Sequence, residues 1–326
     1  MKVSVIIPYY NPAGDTQTEK LLRRAIASAS ENLFEAYDYE IIVVNDGSPS
    51  DPSLESLSGL PLKYVSRPHG MLGAARNSGI ENATGQIITF LDADDCYYPN
   101  SLVPCIEHMK SSGADLLGVG MVRLEGSQNC SDETNLKPAF DPPVTGDSFM
   151  LNHILPGSAC RYLISTSLIE NHHLRFMENA YIEDEEFTPR LMFLSRRYVN
   201  TDFPVYAYYI RSGSIITDVS PQMLQAKSDH TLKALSGLIS FRDKHSDEPH
   251  QGLDRKINIL AMDHIRRTLR RKDWREVISQ QTDALAQMNL FPLRFGHDKA
   301  GFKLFSLLSR CRIGLSLLHL IEKKYR

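Results

Sequence analysis

The chain has 326 residues, 42% of them hydrophobic and 23% charged, with a formal net charge of −3. That is ordinary for a globular protein with a sizeable core in one large domain or two, and the mildly acidic balance gives no reason to expect a nucleic-acid partner. Cys96, Cys105, Cys130, Cys160 and Cys311 are scattered without a C-x-x-C, which argues against a disulfide framework or a zinc site and suits a reducing cytoplasm.

In chain order, Val3–Ile7 reads as a buried first strand that Pro8 stops, followed by loop chemistry from Tyr9 to Gly14. Val3–Ile7 is too short for the apolar core of a signal peptide. Thr18 is placed to cap a helix with Leu21, Leu22, Ala25, Ile26 and Ala29 on one face. Ile41–Val44 is a second strand, ending at Asn45-Asp46-Gly47-Ser48, and Leu62–Val65 a third. A helix is predicted over Met71–Ala83, then a strand over Ile87–Leu91 that stops on Asp92-Ala93-Asp94-Asp95. Asn100 is placed to cap the next helix, with Leu102, Ile106 and Met109 on one face and Gly113 as its stop, and Leu116–Val122 reads as strand.

Strands alternating with helices imply an α/β fold with a mostly parallel sheet covered on both faces. From Glu125 to Asp147 the chain is a polar surface excursion; Asp147–Leu155 reads as helix and Cys160–Ile164 as strand. In the acidic run Glu183-Asp184-Glu185-Glu186, Thr188 and Pro189 suit the cap and first turn of a helix over Arg190–Arg197. Pro204–Ile210 is strand-like, and beyond Thr217 the chain turns Lys/Arg/Gln/Leu-rich and helical. The expected organisation is a catalytic domain over residues 1–217 and a helical extension over 218–326.

The chemistry concentrates at Asp92-Ala93-Asp94. A buried strand that ends in Asp-x-Asp delivers carboxylates to the sheet edge where open α/β folds bind ligands. Side chains two apart on an extended backbone leave on the same side, and oxygen-only ligands suit Mg²⁺ or Mn²⁺. The alternative is that these acids solvate a turn. No G-x-G-x-x-G follows the first strand and no G-x-x-x-x-G-K-[ST] occurs, so dinucleotide and P-loop readings lose their support.

Four segments in order, Val3–Asn11, Val43–Ser48, Ala74–Ile80 and Phe90–Asp95, resemble the family 2 glycosyltransferases, enzymes of GT-A fold that use nucleotide-diphosphate sugars. Glu183-Asp184 with Phe187 resembles the family's later Glu-Asp motif, and Tyr208–Ser214 a segment of its capsule and exopolysaccharide members; the likeness runs over roughly residues 1–217. One departure is Met71-Leu72-Gly73, where the family often has Gly-Leu-Ser.

The resemblance implies that Pro8, Tyr10, Asn11 and Asp46 contact the base and ribose of the donor, in the first place a UDP-sugar. Asp94 ligates the metal directly, with Asp92 reaching it through water or meeting the ribose; Arg76 pairs with the Asp cluster or with phosphate. Asp184 is the base that deprotonates a saccharide or lipid-linked saccharide acceptor, and Glu183 orients the site. In-line attack inverts the anomeric centre. A catalytically degenerate binding partner and an aspartate-nucleophile phosphatase are the competing readings.

No apolar run approaches the roughly 18 residues that span a bilayer. From Phe291 on, however, basic residues interleave with Leu304, Leu308, Cys311, Leu315 and Leu318 at helical spacing, which suits either packing on protein or peripheral contact with the inner face of the plasma membrane.

Overall fold

The computed structural model describes residues 1–125, 130, 136–155, 157–210, 218–296 and 298–325. The chain forms two compact units, Met1–Phe149 with Pro156–Asp218, and Met150–Leu155 with Val219–Arg326.

The first unit is built on one eight-stranded sheet. Its strands are β1 (Lys2–Tyr9), β2 (Asp38–Asp46), β3 (Leu62–Arg67), β4 (Ile87–Phe90), β5 (Cys96–Tyr97), β6 (Leu116–Leu124), β7 (Tyr162–Ser165) and β8 (Tyr198–Tyr209), in spatial order β3-β2-β1-β4-β7-β6-β8-β5. The half formed by β3, β2, β1 and β4 is parallel, as the sequence pattern implies. Beyond it, β7 runs antiparallel to both β4 and β6, and β5 antiparallel to β8, so the sheet is mixed. β1 and β2 are buried on nearly every residue, which requires cover on both faces. α1 (Thr16–Leu33), α2 (Met71–Asn82) and α3 (Leu102–Ser112) precede β2, β4 and β6, and α6 (Glu183–Leu194) precedes β8; the short α4 (Gly146–Asn152) and α5 (Thr166–Asn171) lie between.

Local signals were overruled at four places. Pro8 does not end β1, because it pairs in register with Val44. Ile6 gives its carbonyl to Leu91 on the β4 side, and Pro8, two residues on, faces that side after the β1–β4 pairing has ended. Its missing N–H therefore costs no ladder bond. Asp15, not Thr18, caps α1, accepting from the Thr18 amide at 2.8 Å. Asn100 lies outside α3; at its start the amides of the cap Ser101 and of Leu102 donate instead to the side chain of Asn32 from α1 (2.9 and 3.1 Å). Gly113 does stop α3, at φ +66°.

The fourth case matters most for the site. Thr188 and Pro189 do not start a helix; α6 begins at Glu183 and carries Pro189 in its interior. A proline there forfeits one backbone bond. Tertiary contacts hold the helix start in place regardless: Glu183 and Asp184 are both bound to Arg76, and Phe187 stacks on Phe176 with ring centroids 3.7 Å apart. Four acids in the first turn also meet the positive end of the helix dipole. A disulfide joins Cys96 to Cys130, which the scattered cysteines did not foretell. The Arg211–Ser214 part of the later motif lies outside the described residues.

The second unit is helical, with α7 (Pro221–Lys244), α8 (Gln251–Arg270), α9 (Trp274–Gln287), α10 (Ala300–Leu308) and α11 (Arg312–Glu322). Leu235, Leu238, Leu253, Ile257, Leu260, Ile265 and Leu285 form its core. α11 is tied down by Glu322, which is buried and paired with Arg266 (2.7 Å) and Arg270 (2.6 Å) of α8. The basic tail is thus two short helices, and Leu318 points inward. Among the described residues no helix is long and apolar enough to cross a membrane.

Candidate active site

The site residues gather around α2. At its N-terminus lies Asp46, the last residue of β2. Gly47 turns the chain at φ +80°, a conformation that glycine adopts without strain, and a Cβ there would also press on the backbone of His69. The Asp46 carboxylate is buried and fully engaged. It accepts from the Gly70 amide (3.1 and 3.2 Å), pairs with Arg67, and lies 2.9 Å from Nδ1 of His69. The His69 ring stacks on Tyr10 (centroids 4.3 Å apart, planes at 25°). Tyr10 remains 44% exposed, which leaves aromatic surface open to a ligand.

Pro8 and Asn11 do not share that exposure. Pro8 is buried inside β1. Asn11 is buried too, its amide nitrogen donating to the Tyr9 hydroxyl (3.1 Å) and the Asp15 carbonyl (2.9 Å) while its oxygen accepts from the Asp15 amide (3.1 Å). The Asn11 side chain therefore shapes the loop from within.

Six residues along α2 from Gly70 is Arg76, with only 1% of its surface exposed. Its Nη1 donates to Glu183 (2.9 Å) and Asp184 (2.6 Å), and its Nη2 to Asp92 (3.1 Å) and towards the Cys160 sulfur (3.7 Å). The rings of Phe90 and Phe176 lie 5.8 and 5.3 Å from the guanidinium. One buried cation thus joins the end of β4 to the start of α6. Gly73 makes the approach possible, since a Cβ there would strike the Met177 carbonyl and crowd Glu183.

Three acids surround one guanidinium, and the two on α6 are shifted in pKa. Burial, then Asp184, pushes Glu183 up to about 8 against the pull of Arg76. Burial also raises Asp184, again opposed by Arg76. Their exposures differ: the Asp184 side chain keeps 21% of its surface open and Asp92 28%, but Glu183 only 6%. Of the Glu-Asp pair, Asp184 is the one that an incoming group can reach.

The Asp-x-Asp stretch is not extended. β4 ends at Phe90, and the Asp95 amide donates to the Asp92 carbonyl at 3.0 Å, closing a turn. The alternation argument for convergence of Asp92 and Asp94 therefore does not apply; the turn, not the strand, positions them. Asp95 leaves the surface altogether. It is fully buried, accepting from the Tyr206 hydroxyl (2.7 Å) and the Tyr209 amide (2.8 Å), and burial followed by the charges of Asp94 and Asp92 pushes it up to about 8. Tyr206 also accepts from the Asp92 amide (3.2 Å), so β8 braces the acidic turn.

A divalent cation fits the donor set without being enclosed by it. Asp92 and Asp94 are both partly exposed oxygen donors, but no cluster of three or more metal-ligating side chains occurs among the described residues. Mg²⁺ or Mn²⁺ here would draw its remaining ligands from water and a bound phosphate, as Mg²⁺ ordinarily does.

Sequence reasoning named Asp46, Arg76, Asp92, Glu183 and Asp184, and the structure brings the last four together. It missed Arg67, His69 and Gly70 around Asp46, and Cys160, Asp95 and Tyr206 around the turn. A signal existed only for Asp95, as the third acid in the run.

Residues 4–139 match the model of glycosyl transferase family 2. The succinoglycan biosynthesis protein ExoW of Rhizobium meliloti is 34% identical over 122 residues, which is 35% of this chain and 36% of ExoW. The poly(ribitol-phosphate) β-N-acetylglucosaminyltransferase TarP of Staphylococcus aureus is 26% identical over 217 residues, 64% of this chain and 62% of TarP. The chain spans between 14% and 65% of the length of such curated relatives. Among solved structures, S. aureus TarS 1–349 with UDP-GlcNAc superimposes with a TM-score of 0.69 at 19% identity, over 100% of this chain and 92% of that one. Residues 4–139 thus carry the match to glycosyl transferase family 2, and the chain shares its fold with TarS.

Proposed function

We propose that the chain is an inverting, metal-dependent glycosyltransferase that moves a sugar from a nucleotide-diphosphate donor to a saccharide hydroxyl in surface polysaccharide synthesis. Residues 1–217 are its catalytic domain and 218–326 a helical extension. The observation that carries this reading is Arg76, which holds Asp92 of the acidic turn and Asp184 of α6 on one guanidinium. A donor-side acid and an acceptor-side acid are thereby fixed relative to each other, as transfer between two substrates demands.

On the donor side, Tyr10 offers a ring face to the base, with Asp46 and His69 beside it; UDP is the first candidate, as TarS is solved with UDP-GlcNAc. Asp94 would hold the metal directly and Asp92 through water or the ribose. When bound, the ion supplies Lewis-acid neutralisation of the departing diphosphate. On the acceptor side, Asp184 takes the proton of the attacking hydroxyl. Its pKa, lifted by burial, brings it closer to the proton it must accept, which is the usual tuning of a general base. Arg76 keeps it from being neutralised outright, and Glu183, closed off from solvent, orients Arg76. Attack opposite the leaving diphosphate inverts the anomeric carbon. The acceptor is a saccharide, free or lipid-linked.

The test is hydrolysis of a panel of nucleotide sugars by the purified chain, with Mg²⁺, with Mn²⁺ and with chelator. Slow turnover of at least one donor that stops with chelator is expected. No binding and no turnover across the panel would overturn the transferase reading.

A further inference from the structure

The helical unit carries an apolar surface that its own core does not use. On α11, Gly314, Leu318 and Glu322 recur every fourth residue and are buried. Ile313, Leu317, Leu320 and Ile321 recur at i, i+4, i+7 and i+8 and are exposed, Ile313 by 77% and Leu320 by 61%. On α10, which packs against α11, Leu304 and Leu307 are likewise exposed while Phe305 and Ser306 are buried. A helix that is apolar nearly all round is ordinarily enclosed. Here the outer stripe faces water, and exposed apolar patches of this kind mark interaction surfaces.

Charge selects the partner. Lys299, Lys303, Arg310, Arg312, Lys323 and Lys324 are all exposed. The one acid from residue 299 to 324, Glu322, is buried and neutralised by Arg266 and Arg270. Within residues 299–324 the exposed charge is therefore wholly positive. A second copy docked on the same patch by a two-fold axis would set this basic rim against itself. An anionic lipid surface meets both features at once, taking the apolar face among its acyl chains and the basic rim at its phosphates.

We infer that the outer face of α10 and α11 lies in the surface of an anionic phospholipid bilayer. Leu304, Leu307, Ile313, Leu317, Leu320 and Ile321 enter the acyl boundary, and Lys303, Arg310, Arg312, Lys323 and Lys324 sit on headgroup phosphates. The inference rests on the second unit alone and stands apart from the transferase reading.

The test is co-sedimentation of the full chain with vesicles of phosphatidylglycerol and phosphatidylcholine, against vesicles of phosphatidylcholine alone. Binding to the anionic vesicles, weakened by salt, is expected. The double substitution Ile313→Gln and Leu317→Gln should lower partitioning by about tenfold or more. Lys323→Glu with Lys324→Glu should lower it by about fivefold per charge removed. All four positions are exposed, and an unchanged melting temperature checks that the variants fold. Donor hydrolysis by these variants should stay at the parent level, so vesicle binding and turnover are read separately. Equal sedimentation with both vesicle types, or variants that bind like the parent, would overturn the inference. So would a dimer in light scattering that Ile313→Gln and Leu317→Gln convert to monomer.

Discussion

Two carboxylate clusters share α2 and are built in opposite ways. At the N-terminus of the helix one carboxylate, Asp46, is served by several donors: Arg67, His69 and the Gly70 amide. In the body of the helix one guanidinium, Arg76, serves three carboxylates. The first cluster is electrostatically closed. The second is acid-rich and buried: burial first, then the neighbouring acids, with Arg76 opposing, push Glu183 and Asp184 towards protonation. A closed cluster suits a neutral task, holding a loop and an aromatic face for a base. An acid-rich cluster suits charge transactions, accepting a proton or standing beside a cation.

Breaking the acid-rich cluster at its reachable member should have the largest effect. Asp184→Asn keeps the shape and a hydrogen-bond acceptor for Arg76 but removes the proposed base, and transfer should fall by about 10²–10⁴-fold in kcat while the melting temperature holds. Transfer at the parent rate would move the base elsewhere. Next is the hub itself. Arg76→Met leaves Asp92, Glu183 and Asp184 without their cation, and stripping one partner from a buried ionic cluster costs about 3–5 kcal/mol. Chemical denaturation should show that loss; a change under about 1 kcal/mol would mean that the three acids neutralise themselves at little cost.

The closed cluster should respond more mildly. Asp46→Asn removes the charge that holds Arg67 and His69, at a cost of about 1–3 kcal/mol. That should appear as a raised KM for the donor with kcat nearly intact, the reverse of the Asp184→Asn pattern. The smallest effect is a pH slope. Glu183 titrates near 8 in the fold against 4.5 ordinarily, so between these values the folded state holds the extra proton. Its contribution to stability is complete below about pH 4.5 and is lost as pH rises through 8. Melting temperature should therefore decline over that window, and Glu183→Gln should flatten the decline. An identical slope in the variant would place the titration elsewhere.

The legible and illegible parts of the site divide along sequence distance. Asp46 and Asp92 follow runs such as Ile41–Val44 and Ile87–Phe90, and β-branched residues bounded by Gly and Asp signal a strand end locally. Arg76 was named, but its choice between phosphate and acid was not readable, because Asp184 lies 108 residues away. Asp95 looks like one more acid of the same run. Only packing against Tyr206 and Tyr209 reveals it as a buried, braced group. Pro189 shows the reverse failure, a correct local rule defeated by the contacts that pin α6 at Glu183.

By itself the sequence determines the alternation of buried strands and helices, the acids at two strand ends, and the order of motifs through which residues 4–139 match the glycosyl transferase family 2 model. These are short-range properties, set by side-chain periodicity and turn chemistry within a few residues. The tertiary structure alone decides that β7 reverses direction, that the Asp-x-Asp forms a turn, that Arg76 gathers acids from two elements, and that the outer stripe of α11 stays in water. Each depends on which distant segment fills a given space, and that is settled by packing and charge balance across the fold rather than by any local pattern.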